Sequence, residues 1–413
     1  MTAAPAPAST PAAAPPPATS VESGLRTGLN SLGRRIASGD VGSLPVILGL
    51  VLIWAVFDYL NPNFLSPRNL TNLTVQIADI GIVSVGIVLV LLLGEIDLSV
   101  GSVYGLGSAV MAVLSVKQGW PTAPAIGAGI LTGTAIGTFH GFFFTRFRIP
   151  SFVVTLAGLL TWFGAQLHVL GETGTINLTD PTITQLAGSF FDPTVGWILA
   201  VVVVAVLGVD VIIRRRRRAA AGLPATGLLG DLAKFVVIAV VIFGATAILA
   251  ADRGVPLALL ILLGFIISFD IITTRTRFGR HIFAVGGNAE AARRAGISVN
   301  GIRIAVFALS GTMAAAGGIM GASRLLAVNY NSGTGDTLLN AIAGAVIGGT
   351  SLFGGRGTVW SALTGALVIG SINNGLALLS APSDVKFMVT GGVLLAAVTI
   401  DAVARQGRQR AGV

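Results

Sequence analysis

The chain has 413 residues, of which 53% are hydrophobic and only 10% charged; soluble domains carry roughly 25% charged residues, so most of this surface cannot face water. With no cysteine, it has no disulfide, thiolate metal site or catalytic thiol. The net charge of +9 would suit nucleic acid, but most arginines sit between apolar runs, as on the cytoplasmic face of a membrane protein, so no nucleic-acid partner is expected.

In chain order, residues 1–43 open on a stretch of Ala, Pro, Ser and Thr with no basic start before an apolar core. This is not a signal peptide and reads as a disordered cytoplasmic tail. Apolar runs follow at 44–60, 75–93, 98–116, 123–144, 152–170, 195–213, 235–251, 255–272, 304–321, 338–349, 359–379 and 387–402. Such long unbroken runs predict helices rather than barrel strands. The expected fold is therefore an all-α polytopic membrane protein with about 12 transmembrane segments, or 10 plus broken or re-entrant helices.

Placing the N-terminus in the cytoplasm leaves only Arg68, Lys117, Arg253, Arg324 and Lys386 outside, and every other basic residue inside. That asymmetry is what the positive-inside rule requires, so both termini are placed in the cytoplasm. A transmembrane domain over 44–402 contains inserted spans with a basic loop at about 195–251 and a cytoplasmic loop at 274–300. Residues 403–413 form a cytoplasmic tail. Two runs are weak spans: 338–349 is short, and 98–116 is interrupted by Gly101, Gly105 and Gly107. Short or glycine-interrupted segments point to a transport pathway, or to tight packing on small residues.

Three motifs stand out. G-E-I-D-L-S-V-G at 94–101 puts Glu95 and Asp97 between two apolar runs. An acid in a membrane segment is a functional candidate, and Asp97 could equally cap the following helix through a backbone N–H. In the basic inner loop, Gly286, Gly287 and Asn288 form a turn before a short helix at 289–295, which Gly296 ends as a C-cap glycine would. Such a helix is shaped to dock into a partner's groove, and an ordinary solvated surface helix would look the same. The glycines of V-I-G-G-T-S-L-F-G-G-R-G-T-V at 346–359 are not a phosphate loop, which needs Gly-Lys-Ser/Thr. The only lysines, Lys117, Lys234 and Lys386, follow Val, Ala and Val. If ATP drives this protein, another subunit binds it. Arg214 to Arg218 read as a topology anchor against anionic lipid. The histidines His140, His168 and His281 form no H-E-x-x-H pair, against a membrane metalloprotease.

Together these motifs resemble the inner-membrane permease family of monosaccharide ABC importers, the ribose, galactose and xylose group, over about residues 44–402. The family pattern reads G-G-I-D-L-S-V-G-S, then A-V-G-G-N-x-E-A-A-R-x-x-G-I, then A-I-A-x-V-I-G-G-T-S-x-x-G-G, and Asn373, Asn374 and Gly375 also fit. Within it the chain looks most like the D-xylose permeases, through Glu95, I-P-S-F-V-V-T-L-A-G at 149–158 and the Arg-rich insertion. It departs from the family at Leu338, Leu339 and Asn340, where Glu-Leu-Asp is usual.

The resemblance implies a homodimer in a bacterial inner (plasma) membrane, working with an ABC ATPase subunit and an extracytoplasmic sugar-binding protein. It implies no enzyme activity, catalytic residue, cofactor or metal. It assigns coupling to the ATPase to Gly286, Gly287, Asn288, Glu290, Ala291, Ala292 and Gly296. A path for a neutral monosaccharide would be lined by Glu95, Asp97, Ser99, Asn340, Thr350, Asn373 and Asn374. The rival reading is an ion-coupled secondary transporter, which needs ionisable groups deep in the bilayer. Asp58, Asp79, Glu95, Asp97, Asp210 and Asp270 are all expected near span ends.

Overall fold

A computed structural model describes residues 44–222 and 228–410. The N-terminal tail expected over 1–43 lies outside the described residues, as do 411–413. The helices are α1 (Leu44–Leu60), α2 (Pro67–Leu92), α3 (Val100–Ala112, continued by a π-helical turn, Val113–Lys117), α4 (Thr122–Phe147), α5 (Ser151–Leu170) and α6 (Pro181–Gly188). They continue with α7 (Pro193–Ala220), α8 (Leu228–Ala250), α9 (Leu257–Arg275), α10 (Arg277–Gly287), α11 (Ala289–Arg294), α12 (Val299–Leu325), α13 (Asp336–Ile347), α14 (Trp360–Leu378) and α15 (Ser383–Arg410). Each apolar run of the sequence falls on a helix. Among the described residues, 9 helices are long and apolar enough to cross a membrane, and α1 and α13 are shorter. The chain is an all-α polytopic membrane protein, apart from two small antiparallel strand pairs. In these, β1 (Thr175–Asn177) pairs with β4 (Ala327–Asn329), and β2 (Phe190–Phe191) with β3 (Val255–Pro256).

Local sequence signals set the helix ends. Ser66 caps α2 by accepting from the Asn69 backbone N–H, and Pro67 supplies the preset first residue. α2 thus begins eight residues before the apolar run at 75–93, and Asp79, expected near a span end, lies inside the helix and is buried. At the far end Gly94 takes φ +75°. Its N–H bonds Leu91 O at 2.8 Å and the Glu95 N–H bonds Val90 O at 3.2 Å, a Schellman stop. The same closure ends α13 at Gly349, with φ +105°. α15 runs to Arg410, beyond the expected end at 402.

α12 and α2 form the centre of the bundle. α12 packs along α4, α2 and α3, and α2 along α12, α14, α9 and α13. Small residues let the backbones touch: a β-carbon on Gly133 would lie 2.2 Å from Gly311 O, and one on Gly137 2.1 Å from Phe307 O. The most apolar stretch of α2 is 83% buried, against 11% for α7 and for α8. The α7–α8 hairpin is thus peripheral and presents Val201, Val202, Val237 and Val240 outward, a surface suited to lipid rather than water. The 28 residues of α7 span about 42 Å, longer than a hydrocarbon core of about 30 Å.

The loops gather at two ends. At one, the Asn61 side chain bonds Leu378 O, Thr122 bonds Asp180, and both strand pairs sit. At the other, α10 and α11 lie beside the ends of α2 and α13.

Candidate functional site

The three sequence motifs meet at the second end. The Gly355 N–H donates to Leu92 O at 2.9 Å. A β-carbon on Gly286 would lie 1.8 Å from that same oxygen, and one on Gly354 would lie 2.8 Å from both Gly286 O and Gly94 N. Residues 94, 286, 354 and 355 therefore form a junction where two loops and the last turn of α10 touch backbone to backbone; Gly286 and Gly287, expected in a turn, instead end that helix, and only Asn288 leaves it. Glu95 lies beside it, paired with Arg303 at 2.8 Å.

Outward of the junction lies α11. Asn288 caps it by accepting from the Ala291 N–H at 2.9 Å. Gly296, at φ +82°, ends it, with Ile297 N–H on Ala292 O. Glu290 pairs with Arg293 at 2.7 Å and Arg294 at 3.2 Å, all exposed. Of the residues assigned to coupling, Gly287, Asn288, Glu290, Ala291 and Gly296 are exposed. Ala292 is buried against the bundle and Gly286 is committed to the junction.

Of the two weak spans, 98–116 is helical from Val100 without interruption through Gly101, Gly105 and Gly107 and long enough to cross, whereas 338–349 is the short α13; each is preceded by a break in helical structure. Beyond Gly94 the chain is extended, held by Ile96 N–H to Ser151 Oγ at 3.4 Å and Leu98 N–H to Thr155 Oγ1 at 3.1 Å, before α3 starts at Val100. From the other end, irregular backbone at 330–335 leads into α13. The second break packs on the first turns of α3: a β-carbon on Gly101 would lie 2.4 Å from Gly333 O, and one on Gly105 2.3 Å from Ser332 O. Non-helical backbone at this depth is tolerated because it is buried in protein or lines a cavity.

Asp97 sits at the first break, buried, and does not reach the main cavity. It accepts from the Ser99 N–H at 3.0 Å and hydroxyl at 2.6 Å, and from Ser310 Oγ at 3.0 Å. Ser99 Oγ also lies 3.2 Å from His140 Nδ1, and Trp162 Nε1 donates to His140 Nε2 at 2.9 Å. With its hydroxyl proton on Asp97, Ser99 accepts from Nδ1–H, and Nε2 accepts from Trp162. A neutral imidazole fits every bond. This network ties α3, α4, α5 and α12 together.

At the second break a cavity of about 510 Å³ opens between α2, α3, α12, α13, α14 and α15, within the roughly 300–1,000 Å³ of small-molecule sites. Asn340 and Asn373 line it. Asn374 stands behind, donating to Gln76, a lining residue, at 3.1 Å and accepting from Asn69 at 2.8 Å. Glu95, Asp97, Ser99 and Thr350 lie away from it. Sequence reasoning missed three of its walls: Asp79, Tyr104 and Arg324. Arg324 Nη2 lies 3.4 Å from Asp79 Oδ2, and the Tyr104 hydroxyl donates to the same oxygen at 3.2 Å. The Ser66-Pro67 start signal would have revealed Asp79. Among the described residues, no group of three or more His, Asp or Glu could hold a metal.

The family model described as branched-chain amino acid transport system / permease component matches residues 69–398. The chain is 36% identical over 390 residues to the xylose transport system permease protein XylH of Escherichia coli, covering 93% of this chain and 96% of that protein. It is 35% identical to XylH of Haemophilus influenzae, over 86% and 95% of the two chains. Against the ribose import permease protein RbsC of Escherichia coli the identity is 32%, over 86% and 92%. No solved structure matches.

Proposed function

The chain belongs to the family of branched-chain amino acid transport system permease components, and on that premise we propose that it is the membrane permease of an ATP-driven monosaccharide importer, its cargo a D-xylose-like pentose. The observation that carries this reading is the cavity at the second break. It is lined by Asn340, Asn373, Gln76 and Ser332, with two acids, Asp79 and Asp336, offset by two bases, Arg324 and Lys386. Amides, hydroxyls and balanced charge suit a neutral polyol. The similarity to permeases named for xylose and ribose supports the same cargo class.

The motor is a separate ATPase that docks on the exposed side of α11, around Asn288, Glu290 and Ala291. Its closure pushes on the junction at Gly94, Gly286 and Gly355, which lies at the end of α2. Asp79 is 13 residues up the same helix, about 20 Å at 1.5 Å per residue. Movement of one rigid helix therefore reaches the cavity. An extracytoplasmic sugar-binding protein delivers cargo at the end bearing the strand pairs, and two permease copies form the pathway. Twelve segments then cross a bacterial inner membrane with both termini in the cytoplasm.

Buried Asp79 favours the ion-coupled reading more than any other residue, since such coupling needs a deep acid. Its pairing with Arg324 removes the free charge that an ion would bind. Deletion of the gene tests the proposal: uptake of radiolabelled D-xylose should fall to background and be restored by the wild-type gene. Unchanged uptake of both D-xylose and D-ribose would oppose it.

A further inference from the structure

Arg324 and Asp79 make a slack pair. Their 3.4 Å separation exceeds the roughly 2.7–2.9 Å of a good charge-assisted bond. Arg324 Nε has no partner, and neither has the side-chain oxygen of Asn340, a residue only 2% exposed. Buried polar atoms are nearly always bonded, and these two, closed to solvent as they stand, belong to residues that line the cavity and would meet an occupant after a small side-chain shift. Room for the arrangement is made at Gly321, where a β-carbon would lie 1.7 Å from the Tyr104 hydroxyl and 3.0 Å from Asp79 Oδ2.

We propose that Asp79 and Arg324, together with Asn340, form a low-affinity polyol subsite that grips neighbouring hydroxyls of the passing cargo. The inference rests on the sugar-permease reading. A carboxylate only accepts and a guanidinium only donates. One hydroxyl of a vicinal pair therefore donates to Asp79 while the next accepts from Arg324, leaving the ion pair intact. A zwitterionic amino acid would have to split that pair, putting its ammonium on Asp79 and its carboxylate on Arg324. Tyr104 holds Asp79 in place and acts as a positioning residue. Weak binding is required, since a pathway must release what it admits.

The test uses proteoliposomes holding the permease with its ATPase and sugar-binding protein, and probes D-xylose, its monodeoxy analogues and L-leucine. Wild-type protein should take up D-xylose and disfavour at least one monodeoxy analogue by about tenfold, the scale of one hydrogen bond to a charged group. In Asp79→Asn that penalty should be several-fold smaller than in wild type. Because the penalty is a ratio of two uptake rates, it does not depend on how much permease folds, and the binding protein's own preference cancels between variant and wild type. An analogue profile identical to wild type would overturn the proposal. The triple variant Asp79→Leu/Arg324→Met/Tyr104→Phe removes the charge pair together with the hydroxyl that bonds it, so that no buried partner is left unpaired, a change proteins often tolerate. It should keep its melting temperature and lose at least tenfold in D-xylose uptake; uptake at the wild-type rate would show the pair to be structural only. Wild-type liposomes that take up L-leucine and no sugar would sink the sugar reading itself, and this inference with it.

Discussion

A β-carbon on Gly286 would lie 1.8 Å from the carbonyl oxygen of Leu92, so the last turn of α10, just before α11, rests directly on the backbone at the end of α2. No side chain cushions the contact. Gly355 occupies the other side of the same oxygen through its N–H. On the proposed docking, a push on α11 would reach the end of α2 through Gly286.

Gly286→Ala should lower stability by about 1–3 kcal/mol, the usual cost of overpacking, and abolish stimulation of the ATPase by sugar-loaded binding protein. Gly287→Ala is the control: nothing lies within 4 Å of its would-be β-carbon, so the melting temperature should not move. Thermal unfolding in detergent and ATPase assays check both.

Glu290 lies on the exposed side of α11, bonded only to Arg293 and Arg294. Exposed pairs of this kind contribute about 0–1 kcal/mol. Glu290→Gln should leave the melting temperature within a degree or two of wild type and release the ATPase from the permease on co-purification. Retention of the ATPase at wild-type ratio would remove α11 from the docking surface.

Asp97 accepts three bonds in a buried network and does not reach the main cavity. Asp97→Asn should cost about 1–3 kcal/mol, because it leaves buried donors imperfectly paired. Uptake per folded permease should stay unchanged. A selective loss of uptake at wild-type stability would place Asp97 on the pathway instead.

On the face bearing the strand pairs, the Thr122 hydroxyl donates to Asp180 at 2.5 Å. That bond, with the Ile183 and Thr182 N–H groups, holds the Asp180 carboxyl below its ordinary value. A depressed carboxyl contributes stability that is complete above its unfolded pKa and lost as pH falls through the folded one. The protection factors of the Thr182 and Ile183 amides, exchange rates corrected for the intrinsic pH dependence, should thus fall only in acid. In Thr122→Val, which returns the carboxyl toward its ordinary value, the fall should begin at higher pH.

The helices were legible in the sequence because lipid leaves the backbone no alternative. The ends of α11 were legible too, since Asn288 and Gly296 carry their own capping chemistry. The start of α2 was misplaced by reading hydrophobicity alone, and the burial of Asp79 was hidden by that error. The meeting of 94, 286 and 354 could not be read from one sequence. Those glycines are far apart along the chain, and what joins them is the absence of side chains. Arg324 looked like an outer-loop base because nothing local marks its partner on α2.

The central claim is that ATP hydrolysis by a separate subunit drives sugar through this chain, and reconstitution tests it most directly. Proteoliposomes containing the permease, its ATPase and its binding protein should accumulate D-xylose only with ATP inside reach of the ATPase, and ionophores should not slow them. Accumulation by permease alone under an imposed ion gradient, with no ATPase present, would contradict the account.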